Sequence, residues 1–238
     1  MSSHPAVLPL LLAQLALAAA PAGETNHPAA AYANLQGKVV LENDRVVVES
    51  FVMEPGQWSG RYSPRDNHLQ VFIKGGVLTS KESGRAVLWR DGRVAWRSAT
   101  EGPDDGVINT GKTRIEFVWV TLKPARKPAA PAESVPHLNY PNIPGEDILE
   151  NDAVIVQRFL VQPGQWEGVH AHHPNMLYIH IKGGQWATRS KHEPEHAYPE
   201  ASPDGEVGWM QPFDLSDGHE SGNIGKEPID LIWVTPKH

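Results

Sequence analysis

Apolar residues in this chain come in short runs, broken every few positions by polar residues, Gly and Pro. Val46 to Val52, Leu69 to Ile73, Val154 to Val161 and Ile229 to Val234 are rich in Val, Ile, Phe and Trp, the side chains that fit a pleated surface. Clusters of Gly, Pro, Asn and Asp separate them. No long stretch keeps a helical apolar period. Short strands at regular spacing predict an all-β chain of sandwich or barrel type. One run alternates with special clarity. Met176, Tyr178, His180 and Lys182 share one face, and Leu177, Ile179 and Ile181 share the other. Two arrangements fit. Either the first face lines a cavity and the apolar face packs against another domain or a second subunit, or the faces are reversed.

The pattern occurs twice. Tyr32 to Gly76 aligns with Tyr140 to Gly184 at a constant offset of 108, with 21 of 45 positions identical. The ends also match: NTGKTRIEFVWVTLKP from Asn109 against NIGKEPIDLIWVTPKH from Asn223, at an offset of 114. The second copy therefore carries six extra residues, placed most simply in the polar loop around Ser190 to Pro203. A repeat of this kind predicts two tandem domains, here residues 32–123 and 140–238. The Pro- and Ala-rich stretch at 124–139 reads as an extended linker.

Composition narrows the partners. The net charge is −7, and no basic block could neutralise phosphates, which argues against nucleic acid. The expected partner is a small molecule or another protein, with a homodimer as one form the latter could take. There are no cysteines, so disulfides and thiolate metal sites are excluded. Residues 1–22 read as a signal peptide: Ala6 to Ala20 is apolar but too short to span a bilayer, and Ala20-Pro21-Ala22 fits the cleavage pattern. The expectation is an exported protein, periplasmic or secreted, with no membrane span after signal removal.

The candidate chemistry lies in histidine. Nine of the twelve histidines fall from His137 onward. His170 and His172 sit two apart, so an extended backbone projects both to one side. The frame around them, PGQW and IKGG, recurs in the first copy, where Tyr62 and Pro64 replace the two histidines. Asn223 recurs as Asn109, which suits a turn, and Trp119 and Trp233 sit in matched strands as core. Trp166 and Glu167 flank the histidines at an expected cavity rim, although Trp58 repeats Trp166 in the first copy, which suits packing, while His173, His192 and His196 read as exposed.

The stretch from Pro163 to Gly184 resembles the first motif of the cupin superfamily, with Gly164, His170, His172 and Gly183 in register. His219 and Asn223 resemble the end of the second motif. The resemblance covers both copies and implies a bicupin: two tandem double-stranded β-helix, or jelly-roll, barrels with a metal in a barrel mouth. It implies His170, His172 and His219 as ligands. The family's glutamate falls on Met176, and the second motif is only half present. In the first copy Tyr62, Pro64 and Asp105 stand where the ligands would be, so that domain is expected to hold no metal. The pocket-facing reading of the alternating run adds Tyr178 and His180 as candidate catalytic groups, with His180 a base, a support for a ligand or a fourth ligand.

Neutral imidazoles bind divalent transition metals. Iron(II) leads, with zinc, manganese, nickel and copper as alternatives, because some cupin dioxygenases resemble this site in using three histidines without the glutamate. Three protein ligands leave positions open for a small molecule. Two functions remain: a dioxygenase-like enzyme, or a protein that binds a metal or small ligand without turning it over.

Overall fold

The computed structural model describes residues 32–64, 66–123, 135–210 and 212–237. The expected signal peptide and residues 124–134 of the expected linker lie outside the described residues.

The first copy contributes β1 (Lys38–Glu42), β2 (Val46–Met53), β3 (His68–Lys74), β4 (Gly76–Ser80), β5 (Ala86–Trp89), β6 (Val94–Arg97), β7 (Val107–Asn109) and β8 (Ile115–Leu122). The second contributes β9 (Glu146–Glu150), β10 (Val154–Val161), β11 (Met176–Lys182), β12 (Trp186–Arg189), β13 (His196–Ala197), β14 (Val207–Met210), β15 (Glu220–Asn223) and β16 (Ile229–Pro236). A single 3-10 turn, Leu215–Asp217, is the only helical element among the described residues.

The two copies share one topology. Five-stranded sheets run β1-β2-β8-β3-β6 and β9-β10-β16-β11-β14, and three-stranded sheets run β5-β4-β7 and β13-β12-β15. Every pairing is antiparallel, and the long pairs match: Val46 to Met53 faces Leu122 to Ile115, and Val154 to Val161 faces Pro236 to Ile229. Each copy is therefore an all-β barrel of two sheets.

Alternation decides which side of each large sheet faces inward. In β11, Met176 and Tyr178 pack with Phe159, Trp186, Ile229 and Trp233. Trp186 and Trp233 come from different sheets, so this cluster is the barrel interior. Leu177, Ile179 and Ile181 belong to another cluster, together with Leu69, Val71 and Ile73 of β3 and valines of β2, β8, β10 and β16. The apolar outer faces of the two large sheets thus share one core between the copies. Of the two arrangements open in the sequence, the first is the one observed.

The junction has a polar seam as well. Arg158 of β10 forms a two-point ion pair with Asp230, at 2.8 and 2.5 Å. A Cβ on Gly92 of the first copy would lie 2.6 Å from the Arg158 guanidinium, so that turn closes directly over the pair.

The repeated sequence signatures have local causes. In IKGG, a Cβ on Gly75 or Gly183 would stand 2.0 or 1.9 Å from the carbonyl oxygen of Trp89 or Ser202, so only glycine permits the approach. Asn109 and Asn223 each donate to two carbonyls, of Met53 and Thr113 in one copy and Val161 and Glu227 in the other. That identity confirms their turn role. The six extra residues of the second copy are not all in one loop. Paired positions are offset by 113 at Asp91 and Asp204, whose side chains cap Gly75 and Gly183, and reach 114 only beyond β14.

Candidate metal centre

His170 and His172 lie just outside the regular sheet, in an extended segment between β10 and β11. Two backbone bonds hold it: His170 N–H donates to the His219 carbonyl at 3.2 Å, and His172 N–H to the Phe213 carbonyl at 2.9 Å. Those partners precede β15, so the pairing that holds the first two histidines also delivers the third. Leu215–Asp217 shapes this approach, with Asp214 as its N-cap and Gly218 in the left-handed region at φ 60°.

The three imidazoles converge. His170 Nε2 lies 2.8 Å from His172 Nε2, and one ring nitrogen from each histidine fits within 4.8 Å of the others. His170 and His172 are buried and His219 half-buried. The Gly168 carbonyl, 2.8 Å away, accepts from His170 Nδ1. That bond puts the proton on Nδ1 and leaves Nε2 as a lone pair aimed at its neighbours. Phe213 stacks on His219 at 4.4 Å and 10° between planes, and Trp233 packs against His172 at 5.0 Å.

Burial keeps the cluster neutral. It pushes His170 down to about 4, with His219 nearby adding to the effect, and His172 down to about 3, helped by both neighbouring imidazoles. His219 is also lowered by burial. Neutral imidazole is the form that binds a metal. His172 Nδ1 is buried without a partner. A compact set of neutral nitrogen donors, with one tautomer fixed and one nitrogen orphaned, fits a divalent transition ion.

A carboxylate is present that the sequence motif did not announce. Glu167, expected at the cavity rim, is 2% exposed, and its Oε2 lies 3.8 Å from His170 Nε2. The Ser221 N–H donates to that same oxygen at 3.2 Å, and the Tyr140 hydroxyl also bonds to the side chain. Burial pushes this carboxyl up to about 8, against the pull of those two donors. The signal available in sequence was that Glu167 replaces Ser59 of the first copy.

Tyr178 and His180 occupy the barrel interior behind Trp233. Trp233 touches both His172 and Tyr178, whereas the ring neighbours of His180 are Tyr178 and Trp186. Trp186 Nε1–H donates to His180 Nε2 at 3.1 Å, and His180 Nδ1 faces Glu206 at 3.4 Å. Both ring nitrogens are thus directed away from the three histidines. Met176, at the family's glutamate position, is 1% exposed and packs in the interior cluster. His192 and His196 are exposed, and His173 is half-buried rather than exposed.

The first copy fills the same places differently. Tyr62 pairs with Asp104 as His170 pairs with His219, so Asp104, not Asp105, takes the third position. The extra residue is taken up at Gly106, at φ 72°. The Tyr62 hydroxyl donates to His68 Nε2 at 2.9 Å. Arg97 covers the Tyr62 ring at 4.9 Å and reaches Asp104 at 3.3 Å. Among the described residues, the His170–His172–His219 group is the one cluster of metal-binding type.

No family model matches the chain, and no curated protein matches it. Solved structures do. AerE from Microcystis aeruginosa is 11% identical, with 87% of this chain and 94% of that one covered and a TM-score of 0.53. A cupin 2 conserved barrel domain protein from Leptotrichia buccalis is 10% identical, with 87% and 90% covered and a TM-score of 0.51. Oxalate decarboxylase from Bacillus subtilis, a protein with Mn(II) centres, is 13% identical, with 86% and 73% covered and a TM-score of 0.52. The chain therefore has the fold of cupin-domain proteins, in two tandem barrels. At these identities the likeness speaks for the fold alone.

Proposed function

We propose that the protein holds one divalent transition-metal ion in its second barrel through His170, His172 and His219, and that a small organic molecule reacts there in a dioxygenase-like manner. The observation that carries the metal is the convergence of three neutral ring nitrogens in a chain whose other copy has the same frame without them. When bound, the ion would supply Lewis acidity and open positions for substrate. Iron(II) is the first choice and manganese the second, since a structural neighbour is described with Mn(II) centres. Tyr178 and His180 act at one remove, by holding Trp233 and Trp186. Non-catalytic binding of a metal or small ligand is the second reading, favoured by the Met176 and Trp233 side chains that fill the barrel behind the histidines.

The test is metal analysis of purified protein, then titration of the metal-stripped chain. About one equivalent of iron or manganese is expected, together with a ligand-dependent rise in melting temperature. His170→Ala and His219→Ala should abolish both. Binding that survives these substitutions would overturn the proposal. Turnover of a small-molecule panel by the loaded protein separates the enzyme from the binder.

A further inference from the structure

The first copy is an internal control for Glu167. Ser59 occupies its place: Ser59 N–H donates to Val107 O and Glu167 N–H to Ser221 O, each at 2.9 Å. Ser59 Oγ then accepts from Val107 N–H at 2.9 Å, just as Glu167 Oε2 accepts from Ser221 N–H. A serine meets everything the backbone asks at this position. The second copy instead buries a carboxylate, which is costly unless a cation or donors compensate it.

The surroundings have changed to suit. Tyr32 and Tyr140 are matched tyrosines, and Trp119 and Trp233 matched tryptophans. In the first copy the Tyr32 side chain bonds to Gln70, and Trp119 Nε1 is buried without a partner. In the second, Trp233 Nε1–H donates to the Tyr140 oxygen at 2.9 Å. That leaves the Tyr140 hydroxyl hydrogen to donate to Glu167. A chain from Trp233 through Tyr140 to Glu167 therefore exists only in the copy with the histidines, and it ends 3.8 Å from His170 Nε2.

We propose that Glu167 is the carboxylate of the metal site, joining His170, His172 and His219 in holding the ion. It enters from the N-terminal side of the histidine pair, while the position the cupin motif reserves for glutamate carries Met176. One negative charge beside three neutral ligands leaves a divalent ion with a single net charge. It also gives the buried carboxylate the cation it otherwise lacks. The inference rests on the metal reading above and adds a hard oxygen ligand to it, which suits manganese(II) and iron(II) better than an all-nitrogen set does.

The experiment uses the full chain, stripped of metal, and calorimetric titration with Mn(II) and with Co(II). Glu167→Ser installs the residue the first copy already tolerates, so the apoprotein should melt no lower than wild type. Its Mn(II) affinity should fall by about 10- to 100-fold, the range seen when a group supporting a metal site is lost. The visible spectrum of bound Co(II) should change, and Glu167→Asp should recover part of the affinity. Glu167→Gln, of the same shape, should lose affinity as Glu167→Ser does. If both neutral variants bind Mn(II) within twofold of wild type while His170→Ala does not bind, the carboxylate assignment fails and the histidine site stands. If His170→Ala also binds like wild type, the metal reading fails and takes this inference with it.

Discussion

Trp233 donates its indole N–H to the hydroxyl oxygen of Tyr140 across the second barrel, at 2.9 Å. The bond joins β16 to the segment leading into β9, and Tyr140 also packs edge-on against His170 at 4.5 Å. Tyr140→Phe removes one hydroxyl and strands two buried groups, the Trp233 N–H and the Glu167 carboxyl. Each stranded group costs about 1–3 kcal/mol, so urea unfolding should show a loss of about 2–6 kcal/mol. In the first copy Trp119 Nε1 already lacks a partner, and Tyr32→Phe should cost less than half as much. Equal losses for the two variants would show that the bond to Trp233 carries no special weight.

Acid and base should act on the apoprotein in opposite directions. His170 and His172 are depressed to about 4 and about 3, and His219 is lowered as well, so below pH 6.5 the unfolded chain binds at least two protons that the folded chain refuses. Stability from these groups falls as pH drops. Glu167 is raised to about 8, so its folded form keeps a proton the unfolded form releases. Its contribution is full below about 4.5 and is lost as pH rises towards 8. Between pH 4.5 and 6.5 the net difference is at least one proton in favour of unfolding in acid. Between 6.5 and 8 it is one proton the other way, each about 1.4 kcal/mol per pH unit. The melting temperature of metal-free protein should peak near pH 6.5, and His170→Ala with His172→Ala should flatten the acid limb. A profile that climbs steadily from pH 6.5 to 8 would contradict the state assigned to Glu167.

The shared core between the copies gives a third expectation. Ile179 is fully buried in the cluster that draws on β3, β8, β11 and β16. Ile179→Ala should cost about 2–5 kcal/mol, the range for a truncated core isoleucine. Because the cluster spans both copies, calorimetry should show one transition shifted as a whole. Two separated transitions, with only one of them moved, would mean that the outer faces do not couple the barrels.

Much of this is legible in the sequence. The repeat fixed the two-barrel architecture, and the alternation in Met176 to Lys182 posed the right question about its faces. It could not choose between them, because both faces of β11 carry large apolar side chains and only the packing of Leu177, Ile179 and Ile181 against β3 shows which face is shared. The histidine cluster was readable from the differences between copies. Glu167 was not, although the same comparison with Ser59 contains it, because the motif's glutamate position falls on Met176, on the other side of the histidine pair. Asp104 was misplaced by one residue because a local irregularity at Gly106 shifts the register, which spacing alone does not reveal. The partners of His180 were hidden for a similar reason, since Glu206 follows an insertion that moves its offset from Arg93 to 113, away from the 108 of the first repeat block.

His180 gives the sharpest remaining test of how far the site extends. Its counterpart in the first copy is Phe72, which stacks on Trp89 at 4.6 Å and packs on Phe117. An aromatic hydrocarbon therefore suits this position in the fold. His180→Phe would leave the Trp186 N–H and Glu206 without their partner, a loss of about 1–3 kcal/mol. Mn(II) affinity should stay within about twofold of wild type, because His180 Nε2 accepts from Trp186 and Nδ1 faces Glu206 at 3.4 Å, not the histidine cluster. The paired variant His180→Phe with Trp186→Leu, which copies the first barrel at both positions, should recover part of the lost stability. Unfolding curves and metal titrations on the same samples separate the outcomes. A tenfold fall in Mn(II) affinity without a change in stability would place His180 in the metal site and not in the packing behind it.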